Sequence, residues 1–149
     1  MMEERVIRLL FESCREHVPL VGKAVRGICS TATKDEDVLY QIELCIVEVV
    51  NNVIAHAYLM QKGREIEVIT IVNHEFCHFN IKDTGLKNHT PIPRKDLEID
   101  PEDIENLPES GMGLFIISHL MDELSYYEES GKNITSMRKY LKKVTSLRT

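Results

Sequence analysis

From Val38 to Tyr58 apolar residues recur at helical spacing, and Glu48, Asn52 and His56 sit four residues apart within that run. Residues four apart share one face of an α-helix at about 6 Å. Ile46, Val47, Val49 and Val50 surround these positions and mark the helix as buried, so the fold must accommodate a carboxylate and a carboxamide side by side in its interior. Buried polar groups need partners. A divalent cation with a phosphate is one such partner, because a hard cation takes carboxylate and amide oxygens and keeps phosphate oxygens in its shell.

The rest of the chain is arranged around this helix. Thr33 followed by Glu36 has the form of a capping box, which predicts a helix start near Lys34 and a stop near Gly63. Upstream, Val6 to Phe11 predicts a first strand, and Val21, Ala24, Val25 and Ile28 keep the spacing of a first helix. Downstream, the β-branched runs Ile66 to Val72 and Phe79 to Ile81 predict a hairpin that turns near Asn73-His74-Glu75 and ends at Asp83. Leu86 to Ser110 carries Pro91, Pro93, Pro101 and Pro108 among many charges and is too long for a simple connection, which predicts a functional loop. Gly111 to Leu120 reads as a third helix, and Glu123 to Glu128 and Ile134 to Leu141 as two strands turned at Gly131-Lys132-Asn133. The expected fold is an α/β (α+β) two-layer sandwich with helices on one face of a mixed sheet. With 149 residues, 43% of them hydrophobic, one domain spanning the chain is expected.

Charge and motif content narrow the function. A net charge of −6 argues against direct nucleic-acid binding, which favours a basic face. Arg138, Lys139, Lys142, Lys143 and Arg148 read as a solvated strand face and tail. No segment approaches the roughly 20 apolar residues of a membrane span, and the N-terminus lacks a basic-then-apolar signal, so a cytoplasmic protein without membrane contact is expected. Cys14, Cys29, Cys45 and Cys77 show no paired spacing and suit reduced thiols. His74-Glu75-Phe76-Cys77-His78 matches the H-E-x-x-H string of zinc proteases, but that string needs a helix and here falls on a turn and a strand, where its histidines do not converge.

Two further segments bear on phosphate chemistry, Asp83-Thr84-Gly85 and Ser110-Gly111-Met112-Gly113-Leu114. The chain has no G-x-x-x-x-G-K-[ST] string, and Ile116 stands where a dinucleotide fingerprint needs its third glycine. What remains is a glycine pair opening a helix, where unpaired amides and a partial positive charge suit a phosphate chain.

Taken in order, Glu48 to Tyr58, Asp83-Thr84-Gly85 and Ser110 to Leu114 closely resemble the ATP-binding motifs of the GHKL superfamily, whose ATP-binding fold is of the Bergerat type. Within it the chain is similar to the anti-sigma-factor serine-protein kinases, including Met121-Asp122-Glu123 and the stretch Gly131 to Met137. The resemblance implies that Asn52 gives an oxygen to Mg²⁺, that Asp83 accepts a hydrogen bond from the adenine amine of ATP, and that Gly85 keeps the base edge open. It implies that Gly111 and Gly113 bring backbone amides to the phosphates, with Met112, Leu114, His56 and Thr135 completing the nucleotide site and Tyr58 supporting it. Glu48 would be the general base, and Leu86 to Ser110 the lid over ATP.

The same resemblance implies two protein partners, a sigma factor and an anti-anti-sigma STAS-domain protein phosphorylated on serine, and a homodimer. Other readings are a nucleotide-dependent binding module without phosphoryl transfer and a histidine-kinase-like ATPase domain. Many sensor histidine kinases carry an amide at the position of Glu48 and use a separate upstream helix, for which this chain has no room. Hydrolytic relatives share the Glu and Asn pair but carry further domains. Some related kinases have a basic residue just before the second glycine motif, where this chain has Glu109.

Overall fold

The computed structural model describes residues 3–87 and 109–142. Strand β1 (Arg5–Glu12) leads through a 3₁₀ turn (Arg15–His17) into helix α1 (Val18–Cys29). Helix α2 (Glu36–Asn52) follows and runs on without a break as a π-helical turn (Val53–Ala57). Then come β2 (Glu65–Val72), β3 (Phe76–Asp83), α3 (Glu109–Leu120), β4 (Glu123–Glu129) and β5 (Lys132–Tyr140). The expected lid falls largely outside the described residues.

The five strands form one sheet in the order β1-β2-β3-β5-β4, and each neighbouring pair is antiparallel. The expected mixed sheet is therefore wrong in its strand directions, and the connections explain why. Two antiparallel helices between β1 and β2 return the chain in the opposite sense. Between β3 and β4 a single helix intervenes, so those two strands run the same way, but the β4–β5 hairpin places β5 between them. No parallel pair forms among the described residues.

Helix α2 starts two residues later than the capping-box reading placed it. Asp35 is the N-cap, its carboxylate accepting from the amides of Asp37 (3.0 Å) and Val38 (3.3 Å), while the Thr33 hydroxyl accepts from Asp35 N. A carboxylate at this end also suits the helix dipole. Arg26 of α1 then bridges to Glu43 (3.0 Å) and Glu36 (2.5 Å) of α2, fixing the two helices against each other. Asn73 closes the β2–β3 turn by accepting from the amides of Glu75 and Phe76, as an Asx turn does. The H-E-x-x-H string thus lies on a turn and a strand.

Alternate residues of the sheet, Ile66, Val68, Val72, Cys77, Phe79, Ile81 and Met137, join Val25, Ile42, Ile46, Val50 and Ile117 of the helices in one core. α2 packs between α1 and α3. Glu36–Ala57 is long and apolar enough to cross a membrane (22 residues, mean hydropathy 1.5), but Ile42, Cys45, Ile46 and Val50 are fully buried in this core. The cysteines among the described residues are free thiols, and burial pushes Cys45 up to about 12.

On the other face of the sheet His78 is held by both ring nitrogens. Arg138 Nε donates to Nδ1 (3.1 Å), so the proton sits on Nε2, which faces Ser136 Oγ (3.0 Å) and Asn80 Oδ1 (3.2 Å). Burial, and then the Arg138 charge, hold its pKa below the ordinary histidine value. The folded state therefore binds fewer protons at this ring than the unfolded chain does, so stability is present above the unfolded value of about 6.5 and is lost as pH falls through the folded value. Melting temperature measured from pH 7.5 downwards should fall more steeply for the parent than for His78→Gln. Parallel curves would show that the ring does not contribute.

Candidate functional site

The C-terminal half of α2 gathers the three motif segments. Glu48 and Asn52 lie one turn apart, and Asn52 Nδ2 is buried with no hydrogen-bond partner among the described residues. Against them lies Gly113 of α3: a Cβ built there would fall 2.5 Å from Glu48 Oε2 and 3.9 Å from Asn52 Nδ2. No larger residue fits without moving the Glu48 carboxylate. The glycine that the sequence suggested as an amide donor thus sits inside the helix, beyond the unpaired amides of its first turn, and makes room for the acid. Gly111 is still within that first turn. Gly111, Met112 and Leu114 are placed by the α3 backbone, and their side chains lie outside the described set.

The second segment meets the π turn at the end of α2. A Cβ on Gly85 would lie 2.4 Å from Ala57 O, and Leu86 N donates to that same carbonyl (3.0 Å). Gly85 is therefore required for backbone contact. The wider π turn, in which Tyr58 N bonds to Val53 O (3.0 Å), brings the Ala57 carbonyl to this junction. Tyr58 is buried and its phenol oxygen links three segments, donating to Glu65 O (2.5 Å) and accepting from Thr84 N (2.9 Å). His56 is exposed, and its side chain makes no hydrogen bond among the described residues.

Asp83 ends β3 at 1% exposure, with Oδ1 accepting from Gly85 N (2.9 Å) and Asn133 Nδ2 (2.8 Å). Asn133 also donates to Gly85 O (3.1 Å) and Leu86 O (3.3 Å), so one carboxamide ties the whole turn to β5. With these two donors, Oδ1 is fixed as an acceptor. Thr135 is buried two residues along β5, opposite Ile81 on the same face.

A carboxylate and a carboxamide whose buried nitrogen lacks a partner among the described residues, both against Gly113 of α3, with a buried acceptor in the turn that meets Ala57, suit an elongated phosphate-bearing ligand with a donor group at one end. A family model described as the histidine kinase-like ATPase domain matches residues 11–139. The chain belongs to this family. It is 34% identical over 142 residues to the serine-protein kinase RsbW of Staphylococcus epidermidis, covering 92% of this chain and 87% of the relative. It is 31% identical over 148 residues to the RsbW of Staphylococcus aureus, covering 95% and 90%. A chain from the crystal structure of the SiaB–SiaC complex of Pseudomonas aeruginosa superposes with TM-score 0.63 over 92% of this chain and 90% of that one, at 14% identity, which shows the same fold.

In this member of the ATPase-domain family, sequence reasoning missed Asn133, which it placed in a turn. The turn is in fact Ser130-Gly131, both at positive φ (52° and 79°), the two-residue hairpin type whose twist matches its strands. That moves Asn133 into the ladder opposite Asp83. The Ser130-Gly131 dipeptide between two strand patterns was the available signal.

Proposed function

We propose that the chain is an ATP-dependent serine-protein kinase and anti-sigma factor: a single cytoplasmic domain, acting as a homodimer, that binds a sigma factor and phosphorylates a serine of an anti-anti-sigma STAS-domain protein. The observation that carries the catalytic part is the Gly113 seat, which brings the N-terminal half of α3 against Glu48 and Asn52. The identity to serine-protein kinases over more than nine-tenths of the chain supports the same reading.

In this reading the residues divide the work along α2. Asp83, kept an acceptor by Asn133 and Gly85 N, takes the adenine amine, and Thr135 lines the same end. The amide of Gly111 and its neighbours in the α3 first turn face the phosphates, with Met112 and Leu114 beside them. Asn52 would hold Mg²⁺ through its carboxamide oxygen, and its buried Nδ2, without a partner among the described residues, would donate to a phosphate oxygen. When bound, the ion neutralises charge on the triphosphate. Glu48 accepts the proton of the attacking serine hydroxyl, and its contact with Gly113 of α3 supports a place at the phosphate end of the site. His56, exposed on the π turn, serves the rim of the site.

Asn52→Ala tests the placement. Calorimetric titration with ATP should show Mg²⁺-dependent tightening in the parent and a loss of at least about tenfold in Mg-ATP affinity in the variant. Unchanged Mg-ATP affinity would mean that the site lies elsewhere.

A further inference from the structure

Beyond the nucleotide site, the far side of the Gly85 junction carries a second concavity of about 330 Å³, with Tyr58, Leu59, Arg64, Thr84, Gly85 and Leu86 in its wall. Arg64 is presented there in a fixed pose. Its guanidinium stacks on the Tyr58 ring at 4.5 Å, and Nη1 donates to Gln61 Oε1 (3.0 Å). Nη2 reaches Thr84 O and Oγ1 only at 3.4 Å each. Among the described residues Arg64 has no acidic partner. A planar guanidinium held by stacking with a donor edge only weakly used is suited to a carboxylate.

The rim of this concavity is apolar and exposed. Leu59 and Met60 follow the π turn with φ of 48° and 66°, the left-handed region where glycine is at home, and their side chains are 64% and 47% exposed. Leu86 is 54% exposed on the opposite side. Arg15 adds a second cation without an acidic partner among the described residues, resting against Met60 Sδ at 3.7 Å. Two arginines without an acidic partner among the described residues, beside exposed aliphatic side chains, stand out on a chain of net charge −6.

We propose that this corner is a docking pocket for a protein partner, taking a segment in which an acidic side chain stands next to an aliphatic one. The carboxylate meets Arg64, and the aliphatic group covers Leu59 and Leu86. The arrangement uses one guanidinium at the pocket and apolar groups around it, which favours a carboxylate on a peptide over a free phosphate. The nucleotide reading is not required for this assignment, because neither Arg64 nor Leu59 belongs to the proposed nucleotide site and the test below needs no ATP.

The test is nuclear magnetic resonance titration of the full-length, ¹⁵N-labelled protein with three probes: acetyl-Asp-Leu-amide, acetyl-Asn-Leu-amide and inorganic phosphate. The acidic dipeptide should shift the Arg64 Nε–H signal and the Thr84 and Gly85 amides, and bind at least about tenfold more tightly than the neutral one. Arg64→Gln, a half-exposed position, should lose the discrimination while keeping the rest of the spectrum. Leu59→Ser should weaken both dipeptides together. Equal shifts from the two dipeptides, stronger shifts from phosphate, or no shift at Arg64 would each overturn the proposal.

Discussion

Replacing Glu48 by Gln should leave Mg-ATP binding within about threefold of the parent and lower phosphoryl transfer to serine by about 10² to 10⁴-fold, the usual contribution of a positioned general base. The amide has the same shape, so the packing against Gly113 is kept and only the proton acceptor is lost. Gly113→Ala approaches the same residue from the other side. Its Cβ would stand 2.5 Å from Glu48 Oε2, and the atom that must give way is the end of a flexible side chain, so the helix stays folded while the carboxylate swings out. Transfer should fall in this variant too, with melting temperature nearly unchanged. Should Gly113→Ala transfer phosphate at the parental rate, the carboxylate position seen here is not the reacting one.

Gly85→Ala should have the largest effect on the fold. The atoms that its Cβ would meet are Ala57 O at 2.4 Å and Ala57 C at 2.6 Å, both backbone, so no side-chain rotation relieves the contact. The turn must lift from the π turn, which breaks the bond from Leu86 N to Ala57 O and pulls Asp83 from its place beside Asn133. Overpacking with a lost hydrogen bond amounts to roughly 3 kcal/mol, about 6–12 °C in melting temperature for a chain of this size. Adenine nucleotide binding should fall with it. Gly27, within α1 and with open space where a Cβ would go, is the control: Gly27→Ala should raise stability by up to about 1 kcal/mol. Equal melting temperatures for Gly85→Ala and the parent would contradict the close approach at Ala57.

α1, α2 and the β2–β3 hairpin were legible in the sequence from their apolar periods and from Asn73, although α2 and its π turn end at Ala57 and not near Gly63; α3 is apolar all round and was legible only from the glycine pair near its start. Strand direction was not. Whether β4 or β5 lies beside β3 depends on which hairpin strand packs under α3, and no local pattern encodes that choice. The same ambiguity hid Asn133, whose partner Asp83 is 50 residues away and becomes its neighbour only through the β3–β5 pairing. Glu48 and Asn52 were legible because polar groups on a buried face are conspicuous. The functions of Gly85 and Gly113 were not, since a glycine that admits a backbone or a carboxylate looks, in sequence, like one that turns a loop or opens a helix. Asp35 displaced Thr33 as the helix cap because a carboxylate two residues nearer the apolar run reaches two amides at once.

The central claim is phosphoryl transfer to a protein serine, and the most direct measurement is incubation of the purified chain with Mg²⁺ and γ-labelled ATP, with and without STAS-domain proteins encoded by the same genome, followed by phosphoamino-acid mapping. The account predicts label on one serine of a STAS-domain protein, present with the parent and absent with Glu48→Gln. ATP bound tightly with no serine labelled would contradict it, and would leave a nucleotide-dependent binding module in its place.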